Sequence, residues 1–170
     1  MTRSFHRIAA AVMAVAVGLA SPLAAWAQQR GPVTNLPLPR FVSLKTNEAN
    51  ARRGPDLSHR IDWVYKRRDM PLRVTAEFEH WRRIEDMDGK GGWIHSALLS
   101  GERTALVQAD MAPLRVHPDA DARDVALLEQ GVIGVLQSCE AEWCELQIGN
   151  VKGWLPISAL WGVEPGELLN

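Results

Sequence analysis

The sequence predicts an all-β protein built from two tandem, small and strongly bent β-barrels, each with a short helical turn near its end, preceded by a signal peptide. Three observations carry this. The chain repeats itself at an offset of about 62 residues. Each copy is patterned as short alternating strands punctuated by turn dipeptides, with no sustained helical period. The first 27 residues have the make-up of an export signal. Of the 170 residues, 46% are hydrophobic and 23% charged, which excludes a disordered acidic or basic tail and leaves a globular chain.

The signal comes first in the chain. Arg3, His6 and Arg7 form a basic start, followed by an apolar core of 13 residues over 8–20. Ser21-Pro22 breaks the helix, and Ala25-Trp26-Ala27 places small residues at the −3 and −1 positions of a cleavage site. A bilayer core needs ~20 apolar residues, so this stretch suits cleavage better than anchoring. The expected division is therefore signal peptide 1–27, N-terminal linker 28–39, first unit 40–101, second unit 103–163 and tail 164–170. No apolar run after residue 27 is long enough for a transmembrane helix.

The repeat is ordered along its whole length. Arg52 with Pro55-Asp56 falls on Arg115 with Pro118-Asp119, and Leu72-x-Val74 falls on Gly134-x-Leu136. Trp81-x-x-Ile84 falls on Trp143-x-x-Leu146, Gly92-Trp93-Ile94 on Gly153-Trp154-Leu155, and Ser96-Ala97-Leu98 on Ser158-Ala159-Leu160. Within the first copy, Leu72, Val74, Ala76 and Phe78 alternate with Arg73, Thr75 and Glu77, and Ile61, Trp63 and Tyr65 alternate likewise. Asp88-Gly89 marks a tight hairpin, with Gly149-Asn150 in its place in the second copy. Gly54-Pro55-Asp56 opens a polar loop, and residues 96–99 and 158–161 each predict one helical turn.

These residues resemble the bacterial SH3-like domain. The likeness rests on Asn50-Ala51-Arg52-Arg53-Gly54-Pro55, on the Trp-x-x-aliphatic strand, and on Gly92-Trp93-Ile94 followed by Ala97-Leu98. It covers most of both units. It implies partly open barrels used as non-catalytic binding modules in exported and cell-wall-associated proteins. The second unit departs from the pattern, with Pro113 where Asn50 stands and His117 in place of Gly54.

Seven Trp against one Tyr and three Phe is a lopsided choice. A 60-residue unit is marginally stable, and an indole buries 150–250 Å², so Trp93 and Trp154 are expected to fill the barrels. Trp81 and Ile84 lie three apart on a strand and must face opposite sides. If Ile84 points inward, Trp81 with the adjacent His80 becomes a candidate contact surface. Packing against the other unit or the 53–61 loop is the alternative. Cys139 and Cys144 are the only two cysteines and are expected to form a disulfide across a hairpin. A reactive thiol is disfavoured by Glu140, Glu142 and Glu145 beside them.

Without its signal the chain has 17 basic and 20 acidic side chains, a net −3. Residues 40–101 carry 12 basic and 9 acidic groups, whereas residues 102–170 carry 4 and 11. Nucleic-acid binding is not indicated. Lys66, Arg67 and Arg68 in a turn, with Arg82 on a nearby strand, suggest an anion-recognising face; solvated positions that discourage strand-to-strand aggregation are the alternative. No catalytic residues are identified, since no His follows Cys144. The remaining His lack metal-ligand spacing, and Asp86-Met87-Asp88-Gly89 begins a calcium-loop pattern that nothing completes. No cofactor is expected. The sequence thus predicts a non-catalytic binding or scaffolding module, periplasmic or secreted, that engages peptidoglycan fragments or a periplasmic protein. The alternative is an accessory or inhibitory subunit of an envelope enzyme encoded elsewhere.

Overall fold

A computed structural model describes residues 29–167 and residue 169; the signal peptide expected over residues 1–27 lies outside them. The first unit contains β1 (Arg40–Leu44), β2 (Ala49–Arg52), β3 (Ile61–Tyr65), β4 (Pro71–Phe78), β5 (Trp81–Glu85), β6 (Gly91–His95), a 3-10 turn (Ser96–Leu98) and β7 (Leu99–Ser100). The second contains β8 (Thr104–Val107), β9 (Ala112–Arg115), β10 (Asp124–Leu128), β11 (Ile133–Glu140), β12 (Trp143–Ile148), β13 (Val151–Pro156), a 3-10 turn (Ile157–Ala159) and β14 (Leu160–Trp161). Strand order is β3-β2-β6-β5-β4-β1-β7 in one sheet and β10-β9-β13-β12-β11-β8-β14 in the other. The two sheets are antiparallel and identical in order, as an all-β duplication requires.

The repeated motifs have local causes. A Cβ on Gly92, which sits at φ +152°, would lie 2.5 Å from the Arg52 carbonyl oxygen. One on Gly153 would lie 2.7 Å from the Arg115 carbonyl oxygen. Each Gly before a Trp is thus where β2 or β9 crosses closely over its neighbouring strand. In the 86–90 hairpin, Gly89 adopts φ +72°. Asp86 Oδ1 accepts from the Asp88 and Lys90 amides at 3.0 and 2.9 Å, and Tyr65 donates its hydroxyl to the Lys90 carbonyl at 2.9 Å. Burial, and then the Asp86 carboxylate, push the Tyr65 phenol far above its ordinary pKa. The aspartate that suggested a calcium loop is therefore a turn-former.

One strand departs from its predicted alternation. Pairing of β4 with β5 shifts between Val74 and Ala76, and β11 with β12 shifts at the corresponding Leu136 and Ser138. A bulge swaps the faces of everything beyond it. Leu72 and Val74 point into the core as expected, but Phe78 is 50% exposed and Glu77 is buried.

Glu77 is covered by residues 29–39, which fold back through a bridge between Arg30 and Pro37. The Val33 and Thr34 amides donate to Glu77 Oε2 at 3.1 and 2.9 Å, and the Thr34 hydroxyl donates to Oε1 at 2.6 Å. Leu38 then enters the first core. This segment is a strap packed on the first barrel.

The indoles do not fill the barrels, contrary to the sequence expectation. The first core consists of Leu38, Leu44, Ala49, Ala51, Tyr65, Leu72, Val74, Ile84 and Ile94. The second is aliphatic around Leu114, Leu136, Leu146, Leu155 and Leu160, with Cys139 and Cys144. Neither contains a Trp. On β6 and β13 the fully buried Ile94 and Leu155 take the inward position, so the adjacent Trp93 and Trp154 lie on the other face, half-buried. Cys139 and Cys144 are directly paired across β11 and β12, 4.1 Å apart at Cα, and are joined as a disulfide.

One tryptophan serves the junction. Trp161 of β14 meets Phe41 of β1 edge-on at 5.3 Å, and the Arg73 guanidinium lies 5.5 Å from its ring centre. Arg103 stacks over Phe41 at 5.7 Å and pairs with Glu167. The Thr104 hydroxyl donates to the Asp69 carbonyl at 2.7 Å, and Gly162 packs against Pro71. The short linker therefore sits beneath a shared aromatic and cationic contact.

Candidate functional site

The duplication leaves an equivalent cleft on each barrel, where the start of β5 or β12 meets the end of β6 or β13. Strand pairing sets Trp81 opposite His95 and Trp143 opposite Pro156. The first cleft, about 210 Å³, is lined by Glu48, Asn50, Arg52, Leu57, Trp81, His95 and Leu98, among others. In the second, about 350 Å³, the corresponding positions are Met111, Pro113, Arg115, Ala120, Trp143, Pro156 and Ala159. Arg52 donates to the His59 carbonyl and Arg115 to the Ala122 carbonyl, each at 2.8 Å, fixing the same loop in both copies.

A third cleft belongs to the first barrel. It measures about 410 Å³ and is lined by Arg52, Arg53, Asp62, Arg83, Ile84, Glu85, Gly89, Gly91, Gly92 and Trp93. Arg53 pairs with Asp62 at 3.1 Å, and Glu85 is held by Arg73. Arg83 is exposed and has no ion pair among the described residues.

The residues anticipated from sequence do not form one site. Lys66, Arg67 and Arg68 are exposed in the turn between β3 and β4. Arg68 lies 3.7 Å from Asp69, and Arg67 reaches towards Gly131 of the second barrel. The eight-residue strand β4 separates that turn from Trp81, a span of roughly 25 Å at the usual strand rise. His80 is exposed, with its ring 5.8 Å from that of His95. Trp81 is only 8% exposed, outside the core cluster, and lies edge-on to His95 at 5.5 Å. It forms a wall of the first cleft together with Leu57 of the 53–61 loop.

Arg82 is not part of any basic face. It is buried, donates to the Glu79 and Trp81 carbonyls, and lies 3.5 Å from Glu77. Arg40 binds the same carboxylate at 2.7 Å. Burial alone would raise the Glu77 pKa, but hydrogen bonds from Thr34, Arg40 and Val33 outweigh it and hold the carboxyl down to about 2. The exposed cation of β5 is the adjacent Arg83. Alternation could have separated the pair, but only with knowledge that the strand end carrying Arg82 is covered by the strap.

Among the described residues, no three His, Cys, Asp or Glu side chains gather as a metal site, and no helix is long and apolar enough to cross a membrane.

The duplicated barrel with a Gly-Trp strand and a 3-10 turn before the last strand is the architecture of a small bacterial barrel domain. The chain belongs to the bacterial SH3 domain family, whose model matches residues 45–101 and 108–162. No curated protein matches it significantly. Among solved structures it is similar to NlpC2 and NlpC1 from Trichomonas vaginalis, each at 14% identity with a TM-score of 0.34. The matches cover 75% and 77% of this chain and 51% and 48% of those proteins, so the chain spans about half their length.

Proposed function

We propose that this protein is a non-catalytic binding module acting outside the cytoplasm, and that its first barrel recognises carboxylate groups of cell-wall material, such as peptidoglycan stem peptides. The observation that carries this is the cleft bounded by Arg52, Arg53 and Arg83, in which Arg83 has no acidic partner among the described residues. Guanidinium groups bind carboxylates through paired hydrogen bonds. The Cys139–Cys144 disulfide supports an oxidising compartment. The family supports a binding role.

Sedimentation with purified peptidoglycan tests the reading. The wild type should be retained, and Arg53→Glu with Arg83→Glu should release it while the melting profile stays two-barrelled and cooperative. Retention that survives this double reversal refutes the arginine cleft. Wild-type protein that stays in solution and instead co-purifies with one envelope enzyme points to the accessory-subunit role.

A further inference from the structure

We propose that the second barrel carries a separate docking site, the Trp143 cleft, for a positively charged segment of another protein, gripped through an aliphatic or prolyl side chain. The site is independent of the arginine cleft. The same place on the two barrels has acquired opposite chemistry. Where the first cleft presents Glu48, Asn50 and His95, the second presents Met111, Pro113 and Pro156. These exchanges remove hydrogen-bonding groups from the floor, and the second cleft is the larger. Met111 is 53% exposed and Trp143 half-buried, so the apolar floor is open to solvent. An open indole beside two proline rings and a flexible thioether is suited to packing one apolar side chain of a partner.

Charge decides which partner. Three loops border this cleft, and each carries exposed acids: Asp110 before β9, Asp119 and Asp121 on either side of the lining residue Ala120, and Glu140 and Glu142 in the hairpin leading into Trp143. None of the five takes part in an ion pair among the described residues. The nearby Arg115 is committed to Asp124 and to the Ala122 carbonyl. At the hairpin positions the first barrel has Phe78 and His80 instead of Glu140 and Glu142. An apolar floor ringed by unpaired carboxylates repels anionic and favours cationic chains, with the rim charges acting on encounter and the floor on residence.

The test is fluorescence anisotropy on the full exported chain with three labelled octapeptides: one of alternating Lys, Pro and Leu, the same with Glu for Lys, and octalysine. The Lys-Pro-Leu peptide should bind, with affinity that falls as salt rises, and the other two should bind at least roughly tenfold more weakly. Met111→Lys, which keeps an unbranched side chain at this exposed position with φ +52°, should weaken binding by roughly tenfold or more, and Trp143→Ala should do the same. Asp110→Lys with Glu142→Lys should abolish the salt dependence. Arg83→Glu should leave peptide binding unaltered while weakening peptidoglycan retention, which separates this site from the peptidoglycan reading. Equal binding of octalysine, binding that survives Met111→Lys, or no binding at millimolar peptide overturns the proposal. So does a concentration-dependent dimer that Met111→Lys dissociates, since the cleft would then be covered by a second copy of the chain.

Discussion

Replacing Glu77 by Gln tests whether the buried carboxylate ties the N-terminal strap to the first barrel. In the folded protein its pKa falls from the ordinary 4.5 to about 2, a shift worth about 3 kcal/mol of stability at neutral pH. Its side chain is fully shielded, and the substitution also leaves Arg40 and the buried Arg82 without their counter-charge. Breaking such a pair from one side costs about 3–5 kcal/mol, in agreement. Because the folded pKa is depressed, the stabilisation is fully present above pH 4.5 and is lost as pH falls through about 2. Urea unfolding followed by tryptophan fluorescence at pH 7, 5, 4 and 3 measures this directly. The variant should be about 3 kcal/mol less stable than wild type at pH 7, and the gap should narrow steadily below pH 4.5. At neutral pH its first barrel should melt roughly 12–24 °C lower. The half-exposed Arg73–Glu85 pair provides the control, and Glu85→Gln should cost about 1 kcal/mol or less. A pH-independent gap, or one under ~1 kcal/mol at pH 7, would show that the strap is held by Leu38 packing and not by the charge.

Other perturbations separate the remaining contacts. Reducing Cys139–Cys144 should lower the urea midpoint of the second barrel by the equivalent of about 2 kcal/mol, from the loop entropy of a short ring, while leaving the first barrel unaltered; equal loss in both would contradict this. Gly92→Ala forces a Cβ onto the Arg52 carbonyl and an unfavourable φ, which should cost roughly 1–3 kcal/mol from backbone strain alone, visible as a lowered first transition in thermal unfolding. Phe41→Ala removes one half of the stack with Trp161 and should cost about 3 kcal/mol. Calorimetry should then show the two barrel transitions further apart than in the wild type, and an unchanged separation would mean that the barrels communicate elsewhere.

The paired clefts show how duplication separates scaffold from chemistry. Both copies retain the Trp at the start of β5 or β12 and the arginine that fixes the adjoining loop. Positions that close the core are mostly aliphatic in both, with Tyr65 in the first and the Cys139–Cys144 pair in the second. The lining between them differs in half-buried residues, one of which, His95, accepts from the Ala97 amide at 3.3 Å and caps the turn of the first barrel. The polar-to-apolar exchange at Asn50 and Pro113, and at His95 and Pro156, gives the two clefts different linings on one scaffold.

The amino-acid order alone determined the duplication, the all-β class, the hairpin at Asp88-Gly89 and the pairing of Cys139 with Cys144. Each is written in local spacing: turn residues need particular backbone angles, strands alternate with period two, and two facing cysteines in one hairpin have a single partner choice. Only the tertiary structure decided where the buried charge lies and what the tryptophans do. A one-residue bulge after Val74 exchanges inside for outside along the rest of β4, so Phe78 is exposed and Glu77 buried. Nothing in the alternation marks its position. Likewise, Arg82 and Arg83 are the same residue type side by side, and their roles part because the strap covers one and leaves the other facing solvent. Indole size suggested core filling, but aliphatic side chains already close these barrels, and the rings were left to line clefts and join the two units.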